Sequence, residues 1–332
     1  NVSAYYAIAH QLRLQGRMDE WKETLEIFNQ LSRAGHEGVS SSYQGQGKYA
    51  EALADGGFGP VGGHRLGADT HFEFADAEAA PASPPAPILF AVSVDANADG
   101  LPDLVTGGEP ALYSNRGGAL APSDEWVFPA LGFTPTDAVF GDCDDDGDLD
   151  LVISGGERTA LLRNEGGRFA DAQALPHAGE RTVFADTDHD GDLDALVIGR
   201  RGNRLLVNDG TASFAEAADA GLATDRSGRR ALFSDFDNDR DVDFLLLGEP
   251  GAPNSGIELY LNNRDGTFSD MAVGTGLGQG GEVVDITAGD FRPDGYIDIL
   301  ALGADGALTL YANNGGRGFS PRPAGMAPGG RG

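Results

Sequence analysis

The segment DCDDDGDLD, from Asp142 to Asp150, places carboxylates at alternating positions around a single glycine. Counted from one to nine, the acids at positions 1, 3, 5 and 9 can converge because Gly147 at position 6 permits a sharp turn. Hard divalent cations prefer oxygen ligands of this kind. The segment therefore predicts a cation-binding loop, and the apolar run after it predicts a β-strand.

The same nine-residue pattern occurs five times in the chain. The other copies are DANADGLPD from Asp95, DTDHDGDLD from Asp186, DFDNDRDVD from Asp235 and DFRPDGYID from Asp290. Successive copies, numbered loop 1 to loop 5 in chain order, start 47, 44, 49 and 55 residues apart. This period suits four short strands with their turns, whereas a calcium β-roll would need a period of about nine residues.

An EF-hand loop also begins with alternating acids, but it requires an acid at position 12 and flanking helices. Position 12 is apolar or threonine in every copy, and short β-type runs closed by glycine follow. The EF-hand interpretation therefore fails. The spacing resembles the calcium loop of FG-GAP (VCBS) repeats, the blades of integrin-α-like β-propellers, over about residues 70–320.

The resemblance implies one set of calcium ligands per loop, from the side chains at positions 1, 3, 5 and 9 and the carbonyl at position 7. Calcium is favoured over magnesium because a dense carboxylate cage with a carbonyl suits the larger ion. Three to five Ca²⁺ ions are expected. The implied ligands are Asp95, Asn97, Asp99, Leu101 and Asp103; Asp142, Asp144, Asp146, Asp148 and Asp150; Asp186, Asp188, Asp190, Asp192 and Asp194; Asp235, Asp237, Asp239, Asp241 and Asp243; and Asp290, Asp294, Tyr296 and Asp298.

Two loops depart from the pattern. In loop 4, Arg240 replaces the turn glycine, which predicts a left-handed non-glycine residue and weaker binding. In loop 5, Arg292 replaces the third ligand, so the site lacks one anionic ligand and Arg292 is expected to act as an internal counter-ion.

Composition limits the possible functions. The net charge of -29 argues against nucleic-acid binding, and 22 of the 52 acids lie in the five loops, where bound cations would neutralise them. The single cysteine, Cys143, excludes an intrachain disulfide framework and a cysteine-based zinc cluster. No apolar run is long enough for a membrane span, and no signal peptide is visible. Because the chain begins at Asn1, we expect a mature product or a fragment.

The periodicity divides the chain into four regions. Residues 1–54 are expected to form a helical hairpin that resembles a tetratricopeptide repeat, with a degenerate second repeat, and assembly through this hairpin is possible. Residues 55–87 form a Gly/Pro-rich connector that contains one stray strand at 71–77, a segment that could close a ring. Residues 88–320 form the propeller, and residues 321–332 form a flexible tail.

Each repeat is predicted to be a four-stranded blade. Asn and Gly before the last strand are expected to supply the positive φ of a tight hairpin turn; these turns begin at Asn115, Asn164, Asn208, Asn263 and Asn313.

No catalytic constellation is visible. The six histidines show no ligand spacing, Ser154 lacks a nucleophile elbow, and the obvious carboxylate pairs already belong to the cation loops. The turn between the second and third strands carries a charge in each repeat, on the face opposite the cation loops. This position is either a solvated turn or a rim of partner contacts; its residues are Glu109, Glu157, Arg200 with Arg201, Glu249 and Asp305.

The sequence thus predicts a mainly β fold with five visible calcium-loop blades, which either close a ring by themselves or form part of a seven-bladed ring. The expected function is a protein- or glycan-binding or scaffold module with structural calcium. Extracellular calcium modules bind at about 0.1 to 1 mM, which favours a secreted, periplasmic or cell-surface location. The alternative is a propeller-based polysaccharide lyase or hydrolase. Bacterial ASPIC/UnbV-type proteins resemble this combination of repeats.

Overall fold

The computed structural model describes Lys22 and residues 88–324, the latter without 98, 108–110, 118–119, 124–127, 167, 170–171, 223–225, 252–255, 272–273 and 278–281. The predicted helical hairpin, apart from Lys22, and the stray strand at 71–77 therefore lie outside the described residues. The described part of the chain contains no helix long and apolar enough to cross a membrane.

The described residues form twenty strands in five antiparallel sheets of four, and each sheet follows chain order. This confirms four strands per repeat. We name the sheets blade 1 to blade 5. Blade 1 holds β1 (Ala91–Val94), β2 (Asp103–Thr106), β3 (Ala111–Asn115) and β4 (Leu120–Pro122); blade 2 holds β5 (Asp137–Gly141), β6 (Asp150–Ser154), β7 (Thr159–Leu162) and β8 (Gln173–Ala174); blade 3 holds β9 (Arg181–Ala185), β10 (Asp194–Ile198), β11 (Arg204–Asn208) and β12 (Phe214–Glu216); blade 4 holds β13 (Gly228–Ser234), β14 (Asp243–Gly248), β15 (Ile257–Asn262) and β16 (Phe268–Asp270); blade 5 holds β17 (Val283–Gly289), β18 (Asp298–Gly303), β19 (Leu308–Asn313) and β20 (Phe319–Pro323).

The second strand of each inner blade is apolar on both faces because the blade packs between two neighbours. In β6, Leu151 and Ile153 pack in a core shared with blade 1, whereas Val152 packs in a core shared with blade 3. All three side chains are buried. This explains why these segments read as continuous apolar runs without strand-type alternation.

The blades are stacked in chain order. The first strands of successive blades contact one another, from β1 with β5 through to β13 with β17. Together with the shared cores, this arrangement is consistent with a propeller-like fold. Ring closure and a total of seven blades remain predictions. The last strand runs to Pro323, three residues beyond the predicted end of the propeller.

The predicted role of asparagine in the turn before the last strand was wrong. The positive φ angles in these turns belong mainly to glycines such as Gly166 and Gly210, and none of the five named asparagines has a positive φ. Two of these asparagines, Asn208 and Asn313, have side chains that bond to the preceding blade, as described below.

Candidate metal centre

Each cation loop joins the first and second strands of its blade, as predicted. The residue before position 1 pairs with the aspartate at position 9, as in Gly141 with Asp150 and Ala185 with Asp194. Both ends of the loop are therefore fixed at one rung of the sheet.

Backbone amides inside each loop gather the carboxylates toward one point. In loop 4, the Asp239 amide donates to Asp235 (3.1 Å) and Asp237 (3.2 Å), and the Arg240 amide donates to Asp235 (3.0 Å). The Asp241 amide donates to Asp239 in turn (3.1 Å). These are Asx-type turns, which the alternating acids favour.

The acids at positions 1, 3 and 5 converge in loops 2, 3 and 4. In each of these loops, one carboxylate oxygen from each acid lies within 4.8 Å of the other two; the triads are Asp142, Asp144 and Asp146; Asp186, Asp188 and Asp190; and Asp235, Asp237 and Asp239. Among the described residues, the acids of loops 1 and 5 form no such triad. Loop 1 has Asn97 at position 3, and loop 5 has Arg292 there.

Two of these carboxylates carry a buried oxygen that has no hydrogen-bond partner within the described part of the chain. The Oδ1 atoms of Asp144 and Asp186 are buried without a hydrogen-bond partner. Burial also raises the pKa of Asp186 to about 6, and burial and the adjacent acids raise the pKa of Asp237 to about 6. A buried, unsatisfied carboxylate is costly unless a cation compensates it, so the triads fit a divalent cation.

The position-9 aspartates have a structural role that the sequence reading did not anticipate. Asp150 accepts the Cys143 amide from its own loop (3.0 Å) and the Asn164 amide from the third strand (2.8 Å). Asp194 and Asp243 make the equivalent pairs of bonds. Each carboxylate thus ties the loop to β-strand backbone, and its additional role as a ligand remains a prediction.

Burial raises the pKa of each of these three carboxyls. The pKa reaches about 6 for Asp150, about 7 for Asp194 and about 8 for Asp243. The hydrogen bonds from backbone amides lower the pKa of each carboxyl, but burial raises it by more. Without a cation, each of these carboxyls therefore binds a proton more readily than an ordinary aspartate does.

The position-7 side chains turn away from the triads. Asp148 accepts the Gly166 amide (3.0 Å), and Asp241 accepts from Arg264 of its own blade. Asp241 also lies 2.9 Å from Nε2 of His189 in loop 3, so this pair links two adjacent loops. This geometry is compatible with carbonyl ligation at position 7, which remains a prediction.

The turn geometry explains the substitution in loop 4. Position 6 has a positive φ in loops 2, 3 and 4: 96° at Gly147, 100° at Gly191 and 81° at Arg240. The predicted left-handed conformation of Arg240 is confirmed. Position 4 is also left-handed in these loops, with φ of 57° at Asp145, 63° at His189 and 65° at Asn238.

In loop 5, the guanidinium of Arg292 lies near the place where carboxylate oxygens converge in loops 2 to 4. Arg292 donates to both oxygens of Asp298 (2.8 to 3.2 Å) and lies 3.1 Å from Asp294. The expected internal counter-ion is therefore present. Position 4 is Pro293, whose ring fixes φ near -65° and prevents the left-handed conformation found in loops 2 to 4.

Asparagine side chains join consecutive blades beside the candidate metal sites. The Nδ2 atom of Asn208 donates to the Cys143 carbonyl (2.8 Å), that of Asn262 to the Thr187 carbonyl (2.7 Å) and that of Asn313 to the Phe236 carbonyl (2.8 Å). Each acceptor is position 2 of the preceding blade's cation loop. The signal was present in the sequence, because an asparagine precedes the last turn in every repeat.

The strand order places the charged turns at the end of the blades opposite the cation loops. Glu157 is exposed, and Arg200 forms a 3.7 Å ion pair with Glu249 across two blades. Glu109 lies outside the described residues. Ser154 is buried and shares a 2.9 Å hydrogen bond with Thr182, a structural contact between blades.

Comparison with known proteins identifies the repeat. A family described as FG-GAP-like repeat matches residues 95–153, 142–197, 186–246 and 235–301. No curated protein sequence matches the chain. Among solved structures, an Agrocybe aegerita lectin studied for recognition of non-reducing terminal N-acetylglucosamine is 19% identical with a TM-score of 0.50, over 70% of this chain and 64% of the lectin. The V. cholerae biofilm matrix protein is 17% identical with a TM-score of 0.44, over 70% of this chain and 38% of that protein.

Proposed function

Because this chain belongs to the FG-GAP-like repeat family, we propose that it is a calcium-stabilised binding module for a protein or glycan ligand outside the cytoplasm. The observation that carries the proposal is the set of three carboxylate triads at one end of the stack of blades, two of which contain a buried oxygen without a hydrogen-bond partner among the described residues. The other end presents charged turns.

Calcium would be held by the acids at positions 1, 3 and 5 of loops 2 to 4. When bound, the ion neutralises the clustered carboxylates and fixes the loop. The protein's own contribution is positional, because the position-9 aspartate and the next blade's asparagine hold the loop in place. An ion in loop 2 or 3 would therefore favour the joint between two blades as well as the loop itself.

The proposed location outside the cytoplasm is based on the calcium concentration that the sites would require. Sites of extracellular modules bind at about 0.1 to 1 mM, and only millimolar calcium would fill them. An apparent calcium dissociation constant below about 1 μM, typical of intracellular sensors and buffers, would argue against this location.

The ligand-binding face is proposed to be the end opposite the cation loops. Glu157 on this face is exposed, and the ion pair between Arg200 and Glu249 is a surface pair of the kind that contributes little to stability, so these charges can contact a partner at little cost to the fold. The lectin shares the fold, which makes glycans the first ligand class to test. A glycan array probed with the calcium-loaded full chain, followed by binding assays on any hit, measures this directly.

A matched pair of variants tests which face binds. Glu157→Lys with Glu249→Lys should weaken capture of the ligand and change its salt dependence, with little change in melting temperature. Glu165→Lys is the control, because this exposed residue carries the same charge at the other end of blade 2. Equal capture by the face variant and the wild type would exclude this face. Release of shorter sugar products during the incubation would favour a lyase or hydrolase instead.

A further inference from the structure

In blades 3 and 4, the turn before the fourth strand lies against the position-7 carboxylate of the same blade's cation loop. In blade 4, the third residue of this turn is Arg264, whose guanidinium donates to the Asp241 carboxylate. The equivalent residue in blade 3 is Gly210. A Cβ atom at Gly210 would lie 2.5 Å from Oδ2 of Asp192, so the carboxylate is directly beside this glycine.

The two joints also differ at position 4 of the preceding loop. Between blades 3 and 4, His189 of loop 3 lies 2.9 Å from Asp241. Between blades 2 and 3, position 4 of loop 2 is Asp145, which has a similar left-handed backbone. Burial raises the pKa of Asp192, and nearby acids that include Asp145 and Asp209 raise it further. An arginine and a histidine in one joint are therefore replaced by a glycine and an acid in the other.

Two acceptors in the joint between blades 2 and 3 lack a donor. In the part of the chain that the structure describes, no donor or cation pairs with the Asp192 carboxylate. The Oδ1 atom of Asn208 is buried without a partner, and this residue is 2% exposed. The equivalent oxygen of Asn262 accepts the Arg264 amide (2.9 Å). By this equivalence, the unpartnered oxygen of Asn208 points toward Gly210, the residue beside Asp192.

We call the surface formed by Asp145, Asp192, Asn208, Asp209 and Gly210 the acidic notch. Among the described residues, groups of three acids converge only in the triads of loops 2 to 4, so the acids of the notch do not close around one small ion. A guanidinium spreads several N–H donors over a planar fork and can bridge acceptors that lie further apart. Calcium in loops 2 and 3 would leave the charge of the notch in place, because none of its side chains belongs to a triad.

We propose that the acidic notch binds an arginine side chain of a partner protein. The precedent lies in the next blade, where Arg264 pairs with Asp241, whereas the equivalent turn residue beside Asp192 has no side chain. Asp145 and Asp209 are exposed, so a side chain from another protein can reach the notch. This contact lies at the cation-loop end of the blades and is separate from the ligand-binding face proposed above.

An NMR titration of the calcium-loaded full chain with the peptide acetyl-Gly-Arg-Gly-amide tests the proposal. The peptide should cause saturable chemical-shift changes at the amides of Asp145, Asp192 and Gly210. The same peptide with citrulline, which is neutral and has nearly the same shape as arginine, should cause none. Asp192→Asn should weaken the response to the arginine peptide. Absence of a saturable change, or an equal change with the citrulline peptide, would overturn the proposal.

A calcium count separates the notch from a metal site. Asp192→Asn keeps the position-7 carbonyl, so the variant should bind as many calcium ions as the wild type. An ion beyond those of the three triads that is lost in Asp192→Asn would show that the notch holds a metal, and would overturn the proposal.

The variant Gly210→Arg should fill the notch from within. The turn accepts arginine at this position, because Arg264 has φ of 64° and Gly210 has φ of 77°. Gly210→Arg should abolish the response to the arginine peptide. It should also melt at a higher temperature than Gly210→Gln, which has the same backbone cost without the charge, and the difference should shrink as salt is added. An undiminished peptide response in Gly210→Arg, or equal melting temperatures of the two variants, would overturn the proposal.

Discussion

The side-chain amide of Asn313 in blade 5 lies 2.8 Å from the carbonyl oxygen of Phe236 in the cation loop of blade 4. The same amide group also reaches the Ile297 carbonyl of its own loop (3.0 Å). One buried side chain therefore connects loop 4, a candidate metal site, to loop 5 of the next blade.

Loss of this bridge should destabilise the stack. Asn313→Ala leaves two buried carbonyls without a donor, at a cost of about 1–3 kcal/mol for each unsatisfied group. We expect a clear fall in the free energy of unfolding by urea denaturation. Asn314→Ala is the matched control, since its exposed side chain bonds to the Ser320 hydroxyl of its own blade, and it should change stability by less than about 0.5 kcal/mol. Equal losses in both variants would show that the bridge contributes nothing specific.

The loops should differ in calcium content. Asp146→Ala or Asp190→Ala removes one acid from a complete triad, so each variant should lose one bound ion, as counted by mass spectrometry of dialysed protein. Asp294→Ala removes an acid that pairs with Arg292, and the ion count should not change. Identical ion losses in all three variants would contradict the assignment of loop 5 as a cation-free site.

A designed change should convert loop 5 into a binding loop. Arg292→Asp alone supplies the missing acid, but Pro293 still prevents the left-handed position 4. We therefore expect the double variant Arg292→Asp/Pro293→Asn to gain one calcium ion and the single variant to gain none with comparable affinity. Calcium titration calorimetry measures the difference, and equal gains would show that position 4 is unimportant.

The free energy of unfolding should depend on pH when calcium is absent, and calcium should weaken or reverse that dependence. An ordinary aspartate titrates near 3.9, whereas burial raises the pKa of Asp194 to about 7 and that of Asp243 to about 8. Between about pH 4 and pH 8 the folded chain therefore binds more protons than the unfolded chain, and its free energy of unfolding falls as pH rises.

Calcium competes with these protons, so excess calcium should remove most of the fall. The measurement is the melting temperature from pH 5 to pH 8, with and without calcium, in protein dialysed free of divalent cations. Asp194→Asn, which cannot gain or lose the proton, should reduce the slope without calcium. The same slope with and without calcium would contradict the account.

The blades and loops were predictable because they depend on short-range patterns. Five aspartate–glycine loops in register predict both the four-stranded period and the converging acids, and the triads of loops 2 to 4 match that prediction. Arg240 and Arg292 were also interpretable, since a left-handed residue and an internal counter-ion follow from position alone.

The contacts between repeats were not predictable in the same way. The asparagines looked like turn formers, but Asn208 and Asn313 bond to the preceding blade. The His189–Asp241 pair likewise depends on how adjacent loops face each other. The sequence period reveals the repeated unit. The residues that meet between two consecutive blades depend on the rotation from one blade to the next, and the sequence of a single repeat does not specify that rotation.

Calcium titration of the full chain by calorimetry, after removal of divalent cations and with melting temperature measured in parallel, tests the central claim most directly. The account predicts binding of three ions in loops 2 to 4 and a higher melting temperature, because a ligand that binds only the folded state contributes about 1.4 kcal/mol per site at tenfold excess over its dissociation constant. Absence of calcium binding together with an unchanged melting temperature would contradict it.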